Sequence, residues 1–134
     1  MLVAVSPVPV SFRPIDGEAN GYYDRTALEI VVDSTNASVQ QAKTLIHEIA
    51  HAWHDMTDPD FDTSPREDRE VIAESVAYVV CSYLGIDTAD YSFGYVGVWG
   101  GSDMKKFQHN LSLIKKISDD IISEITNYEE DSCT

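Results

Sequence analysis

The stretch "TLIHEIAHAWHD", Thr44 to Asp55, constrains the fold more than any other part of the chain. Three of the four histidines fall within eight positions, among Leu45, Ile46, Ile49, Ala50 and Trp53. His47 and His51 are four apart, so a helix places both imidazoles on one face with their Cβ atoms roughly 5–6 Å apart. The chain must therefore build a core-facing helix that opens to admit two imidazoles. Such a pair can reach one zinc ion, each Zn–N bond being about 2.0–2.1 Å. Glu48, one residue past the first imidazole, is then placed to hold and deprotonate a metal-bound water. His54 lies about 10.5 Å along the axis from His47, too far to share the ion, and reads as a partly buried neighbour or pocket wall. Thr57 stands where a third histidine of HExxHxxGxxH would, so that variant is excluded.

A catalytic zinc needs a third protein ligand and one open position. The next apolar segment offers Glu70 and Glu74, four apart and on a stripe with Ala73, Ala77 and Cys81. Small residues there suit close packing on another helix, and two carboxylates on such a face are costly unless compensated. A zinc site compensates both: one carboxylate ligates the ion and the other accepts the free N–H of a ligand histidine. The competing arrangement is an exposed Arg66–Glu70 pair, worth only about 0.2–0.5 kcal/mol. The loop from Asp58 to Ser64 is long enough to fold the second helix back onto the first.

Other signals place the surrounding elements. "LVAVSPVPVSF" alternates, but Pro7 and Pro9 make residues 1–19 an edge strand or an extended arm. "GYYDRTALEIVV" reads as a hairpin turning at Asp24 to Thr26, with Ile30-Val31-Val32 the strongest strand signal. Ser38 to Gln41 fits a capping box opening a helix that runs to about Met56. Ser64, Pro65 and Glu67 fit the start of a second helix, which ends at Leu84 where Gly85 supplies the left-handed residue. A third helix begins near Ser102-Asp103, with Phe107, Leu111, Ile114, Ile117, Ile121 and Ile125 at helical spacing. Residues 128–134 read as a flexible acidic tail. The glycines of "DTADYSFGYVGVWGG" form no GxGxxG cradle, and Tyr91 and Tyr95 there are candidates to stabilise an oxyanion. The fold class is α+β, a single domain over 1–134 with a short antiparallel sheet or hairpin packed on three main helices.

Composition narrows the partners. Twenty-three acids against nine bases give a net charge of −14. Such a chain repels phosphate backbones and anionic membranes, so neither nucleic acid nor membrane is an expected partner. No apolar run approaches spanning length. Cys81 and Cys133 form no CxxC, which suits a reducing cytoplasm.

HExxH followed some twenty residues later by ExxxE looks like the gluzincin arrangement. More closely, "NGYY…EIVV…TLIHEIAHAWHD…REVIAESVAYVVCSYLGIDTADYSFGYVGVW" resembles the metallopeptidase domain of ArdC-type antirestriction and polyvalent mobile-element proteins, relatives of the ImmA/IrrE peptidases. The resemblance covers about residues 20–101. It implies a small zincin-like domain from a phage, plasmid or other mobile element, with Glu70 as third zinc ligand and Glu74 as the acid supporting a ligand histidine. ImmA and IrrE relatives tend to carry Asn at the position of Glu74. ArdC-type proteins also carry a single-stranded-DNA-binding domain, for which this acidic chain offers no room.

The expectation is thus a zinc-dependent metallopeptidase that hydrolyses a protein or peptide, with His47, His51 and Glu70 holding the metal and Glu48 activating the water. The edge of the strand Glu29 to Val32 is expected to receive an extended substrate. The alternative is a non-catalytic acidic interaction module, an antirestriction factor or inhibitor of a host protein that keeps the peptidase fold.

Overall fold

The computed structural model describes residues 1–89 and 104–133. In chain order these form α1 (Leu2–Val5), β1 (Val10–Arg13), β2 (Gly21–Asp24), β3 (Glu29–Asp33), α2 (Ser38–Thr57), a single 3₁₀ turn at Phe61–Thr63, α3 (Arg66–Leu84) and α4 (Met104–Cys133). The architecture is α+β, a small sheet against a mainly helical body. Tyr91, Tyr95, Ser102 and Asp103 lie outside the described residues.

The β-branched run of β3 forms the sheet's centre. Ile30, Val31 and Val32 are fully buried, and the strand order is β1-β3-β2. β2 and β3 make the expected antiparallel hairpin, with Tyr23 opposite Ile30. Asp24 shapes its turn, the Oδ1 atom accepting from the backbone N–H groups of Thr26 and Ala27. β1 adds parallel to the other side of β3, with Val10 opposite Ile30. The sheet is therefore mixed rather than antiparallel. Pro7 and Pro9 precede β1, since a residue without N–H cannot donate to the ladder, although the Pro9 carbonyl accepts from the Ile30 N–H at 2.9 Å. β3 has no free edge, which corrects the expectation that it receives substrate; among the described residues the open edge near the helices is that of β2.

The helix starts are displaced by one residue from their sequence signals, α2 earlier and α3 later. Ala37 takes the N-cap position of α2, without a side-chain cap. Ser38 is therefore already helical, and the Gln41 amide donates instead to the carbonyl of Asn36 at 2.7 Å. Pro65, not Ser64, precedes α3, and the helix closes at Gly85 in the left-handed conformation (φ 78°), which glycine adopts without a Cβ clash. α2 packs against α3 and the sheet, and α3 against α4. Ala73, Ala77 and Cys81 are buried along α3, as their small size suggested, whereas Val79 is exposed. On α4 the buried stripe is Leu113, Ile117, Ile121 and Ile125, while Leu111 is exposed. The end read as a tail from Tyr128 continues as helix to Cys133, with exposed side chains at 128–131. No helix among the described residues is long and apolar enough to cross a membrane.

Candidate metal centre

Helical spacing on α2 brings His47 and His51 together, their ring centroids 4.8 Å apart. α3 crosses beside them and contributes Glu70. Its carboxylate spans both rings: Oε2 lies 3.3 Å from Nε2 of His47 and Oε1 lies 3.3 Å from Nε2 of His51. One ligand atom from each of His47, His51 and Glu70 falls within 4.8 Å of the other two. Glu74, one turn further along α3, reaches the opposite nitrogen of the first ring, its Oε2 being 3.3 Å from Nδ1 of His47. The competing Arg66–Glu70 pair does not form among the described residues, because Glu70 faces the imidazoles instead.

This donor set fits zinc. Two imidazole nitrogens and a carboxylate oxygen converging from two helices are the three-ligand arrangement that leaves one coordination position open. With a carboxylate on Nδ1 of His47, Nε2 would be the nitrogen that holds a metal.

The electrostatics agree with a site built for a cation. Burial works against a charged His47, but Glu70 and Glu74 outweigh it and raise its pKa to about 10. The same hydrogen bonds from His47 and His51 hold Glu70 well below the usual carboxylate range. Glu48 is buried, 8% exposed. Burial raises its pKa, while His47, His51 and the backbone N–H of Tyr23 in β2 pull it down. A carboxylate poised in this way is a general-base candidate, since efficient proton transfer needs a pKa shifted toward the working pH.

His54 does not join the group. It is fully buried, 3.3 Å from Asp58 and edge-on to Phe61 at 4.8 Å. It is therefore a fully buried core residue rather than the partly buried neighbour or pocket wall expected, because the chain after Thr57 turns back over it.

The group opens on a cleft of about 480 Å³ whose far side is formed by Gly21, Tyr22 and Tyr23 of β2. A second hollow of about 310 Å³ reaches His47 and Glu48 from the Glu74 side. Sequence reasoning missed the residues that furnish the larger cleft: Tyr23, Arg25, Phe61, Arg66 and Arg69. Tyr23 and Arg25 bind Asp55 of α2, at 2.7 Å and 3.0 Å, and Arg25 also pairs with Asp62. These contacts tie the hairpin to α2 beside the site. The clustering of the scarce arginines was a usable signal for Arg66 and Arg69, but Arg25 joins them only through the fold.

The family model described as Peptidase_M78, IrrE N-terminal-like domain, matches residues 5–89. The uncharacterized protein pXO2-81 of Bacillus anthracis is 28% identical over 116 residues, which cover 81% of this chain and 19% of that relative. The chain thus spans about a fifth of that protein's length. No solved structure matches it.

Proposed function

The chain belongs to the Peptidase_M78 family of IrrE N-terminal-like domains, and from that premise we propose that it is a zinc-dependent peptidase acting on a protein or peptide. The observation that carries this reading is the convergence of His47, His51 and Glu70 within 4.8 Å beside the buried carboxylate of Glu48. In the proposal those three residues hold zinc and Glu74 orients His47. Zinc, when bound, supplies Lewis acidity that brings the pKa of its water to about 7. Glu48 accepts the proton of the attacking water and passes it to the departing amine. The β2 edge, lining the cleft at Gly21 to Tyr23, pairs with an extended peptide and sets it across the site. Within the family we place the chain near the ArdC-type domains and read its ExxxE as gluzincin-like.

The experiment is a cleavage assay with the zinc-loaded protein and its Glu48→Gln variant on unstructured peptides. Glutamine keeps the size and hydrogen bonding but takes no proton. Zinc should stay bound while cleavage falls by more than about 100-fold. Retained biological activity in Glu48→Gln, with no cleavage by either form, would instead support the acidic binding module suggested by the net charge of −14.

A further inference from the structure

The chain has four arginines, at 13, 25, 66 and 69. Three of them, Arg25, Arg66 and Arg69, line the same cleft as His47, His51 and Glu70. In a chain where acids outnumber bases 23 to 9, cations are expected to be neutralised by the carboxylates around them. Arg25 obeys that expectation, bound to Asp55 and Asp62. Arg66 and Arg69 do not. Neither makes an ion pair among the described residues, although Asp68 between them is paired with Lys106 at 2.7 Å. The Nε of Arg69 is buried with no hydrogen-bond partner, and its guanidinium lies over the Phe61 ring, 5.0 Å from the centroid. Phe61 is itself buried, at 4% exposure, so the ring is a fixed support. A buried, unmatched guanidinium N–H is costly to keep. Arg69 also lines the cleft, where an anion with the flat, two-oxygen geometry that an arginine fork fits would meet a guanidinium with no carboxylate of its own.

We infer that the cleft binds a carboxylate of the peptide substrate at Arg69, assisted by Arg66, and so selects which peptides reach Glu48. This deepens the peptidase reading and rests on it. The carboxylate comes from an Asp or Glu side chain or from a free C-terminus; both present the same two oxygens. The chain's overall charge repels strongly acidic partners at long range. The favoured peptide therefore carries a single carboxylate in a neutral or basic context, recognised by contact and not by steering.

The test uses four synthetic peptides of one neutral background. Two are blocked at both ends and carry Glu or Gln at a central position. Two carry only Gln and end in a free carboxylate or an amide. Binding is measured by calorimetry on zinc-loaded Glu48→Gln, and cleavage on the zinc-loaded wild type. One carboxylate-bearing peptide should bind about tenfold tighter than its neutral partner, the effect of one charge-assisted contact, and which one it is names the source. Arg69→Gln should remove that preference and Arg66→Gln should reduce it. Arg66 is exposed at the start of α3, so its variant folds whatever happens at Arg69, and Arg69→Lys keeps the charge without the fork. Equal binding of all four peptides, or no binding by any, overturns the inference. So does a preference that survives in the double variant, which would mean that zinc itself takes the carboxylate. An Arg69-dependent preference without cleavage would leave the carboxylate subsite standing and sink the peptidase reading. Cleavage without preference would do the reverse.

Discussion

Two neighbouring stretches of α2 treat the same side chain in opposite ways. At His47 and His51 the helix faces a cleft, and two carboxylates from α3 lie 3.3 Å from the ring nitrogens of His47. Two turns from His47, His54 is sealed from solvent with Asp58 as its near carboxylate. The result is a reversal of charge preference. His47 is pushed up to about 10, whereas burial holds His54 below its ordinary 6.5 against the opposing pull of Asp58. Sequence spacing aligns all three residues on one side of a helix. What packs above each one decides whether it faces carboxylates in a cleft or fills a core.

The largest expected effect tests that division directly. His47→Ala and His51→Ala should each abolish stoichiometric zinc, read by total metal analysis of the purified protein, while His54→Ala should retain one zinc per chain. Zinc lost from His54→Ala but kept in the other two would invert the comparison. Next comes the pair of acids on α3. Glu70→Ala should lose tight binding, and Glu74→Ala should weaken affinity by about 10–100-fold, as changes behind a ligand do. Competition with a chromogenic chelator distinguishes the two, and an empty site in Glu74→Ala with a filled one in Glu70→Ala would exchange their roles.

A smaller effect follows from His47. In the metal-free protein its imidazole is protonated at neutral pH and must lose that proton to ligate. Zinc uptake at pH 8 should release a proton from this ring, and affinity should rise with pH by about tenfold per unit until about 10. Calorimetry in buffers of different ionisation enthalpy measures it, and affinity flat between pH 7 and 9 would contradict the assignment.

The smallest effect belongs to His54. Its folded-state pKa is depressed by burial, with Arg69 and His51 adding to burial and Asp58 opposing it. The unfolded chain therefore binds a proton below 6.5 that the folded one refuses. Stability from this residue is complete above 6.5 and declines as the pH falls, by at most about 1.4 kcal/mol per unit. Thermal melts of wild type and His54→Leu between pH 5 and 8 should show a flatter acid limb in the variant; parallel curves would show that His54 is not the titrating group.

Much of this was legible because it is local. The HExxH spacing, the Glu70 and Glu74 repeat, the hairpin and the left-handed Gly85 each depend on a few neighbouring residues and on backbone geometry. His54 was misjudged because its burial depends on the Asp58 to Thr63 return, which puts Phe61 on its ring. The sheet's parallel pairing was missed because it leaves no turn signal: β1, expected as an edge strand or arm, reaches β3 across the whole hairpin. The caps shifted because Ala37 accepts the Gln41 N–H at 2.9 Å, so the helix needs no serine before it. Leu111 and Leu113 exchanged places because the apolar stripe of α4 is wide enough to admit either phase.

One glycine governs more than its size suggests. A Cβ on Gly21 would sit 2.6 Å from Cγ2 of Thr44 and 2.8 Å from the carbonyl oxygen of Val31. β2 thus rests on α2 with no room for a methyl group, at the point where it also flanks Glu48. The aperture between strand and helix is therefore gauged by an absent carbon. Alanine at position 21 would act as a shim between β2, the Thr44 side chain and the β3 backbone, two residues from the Tyr23 N–H that Glu48 accepts.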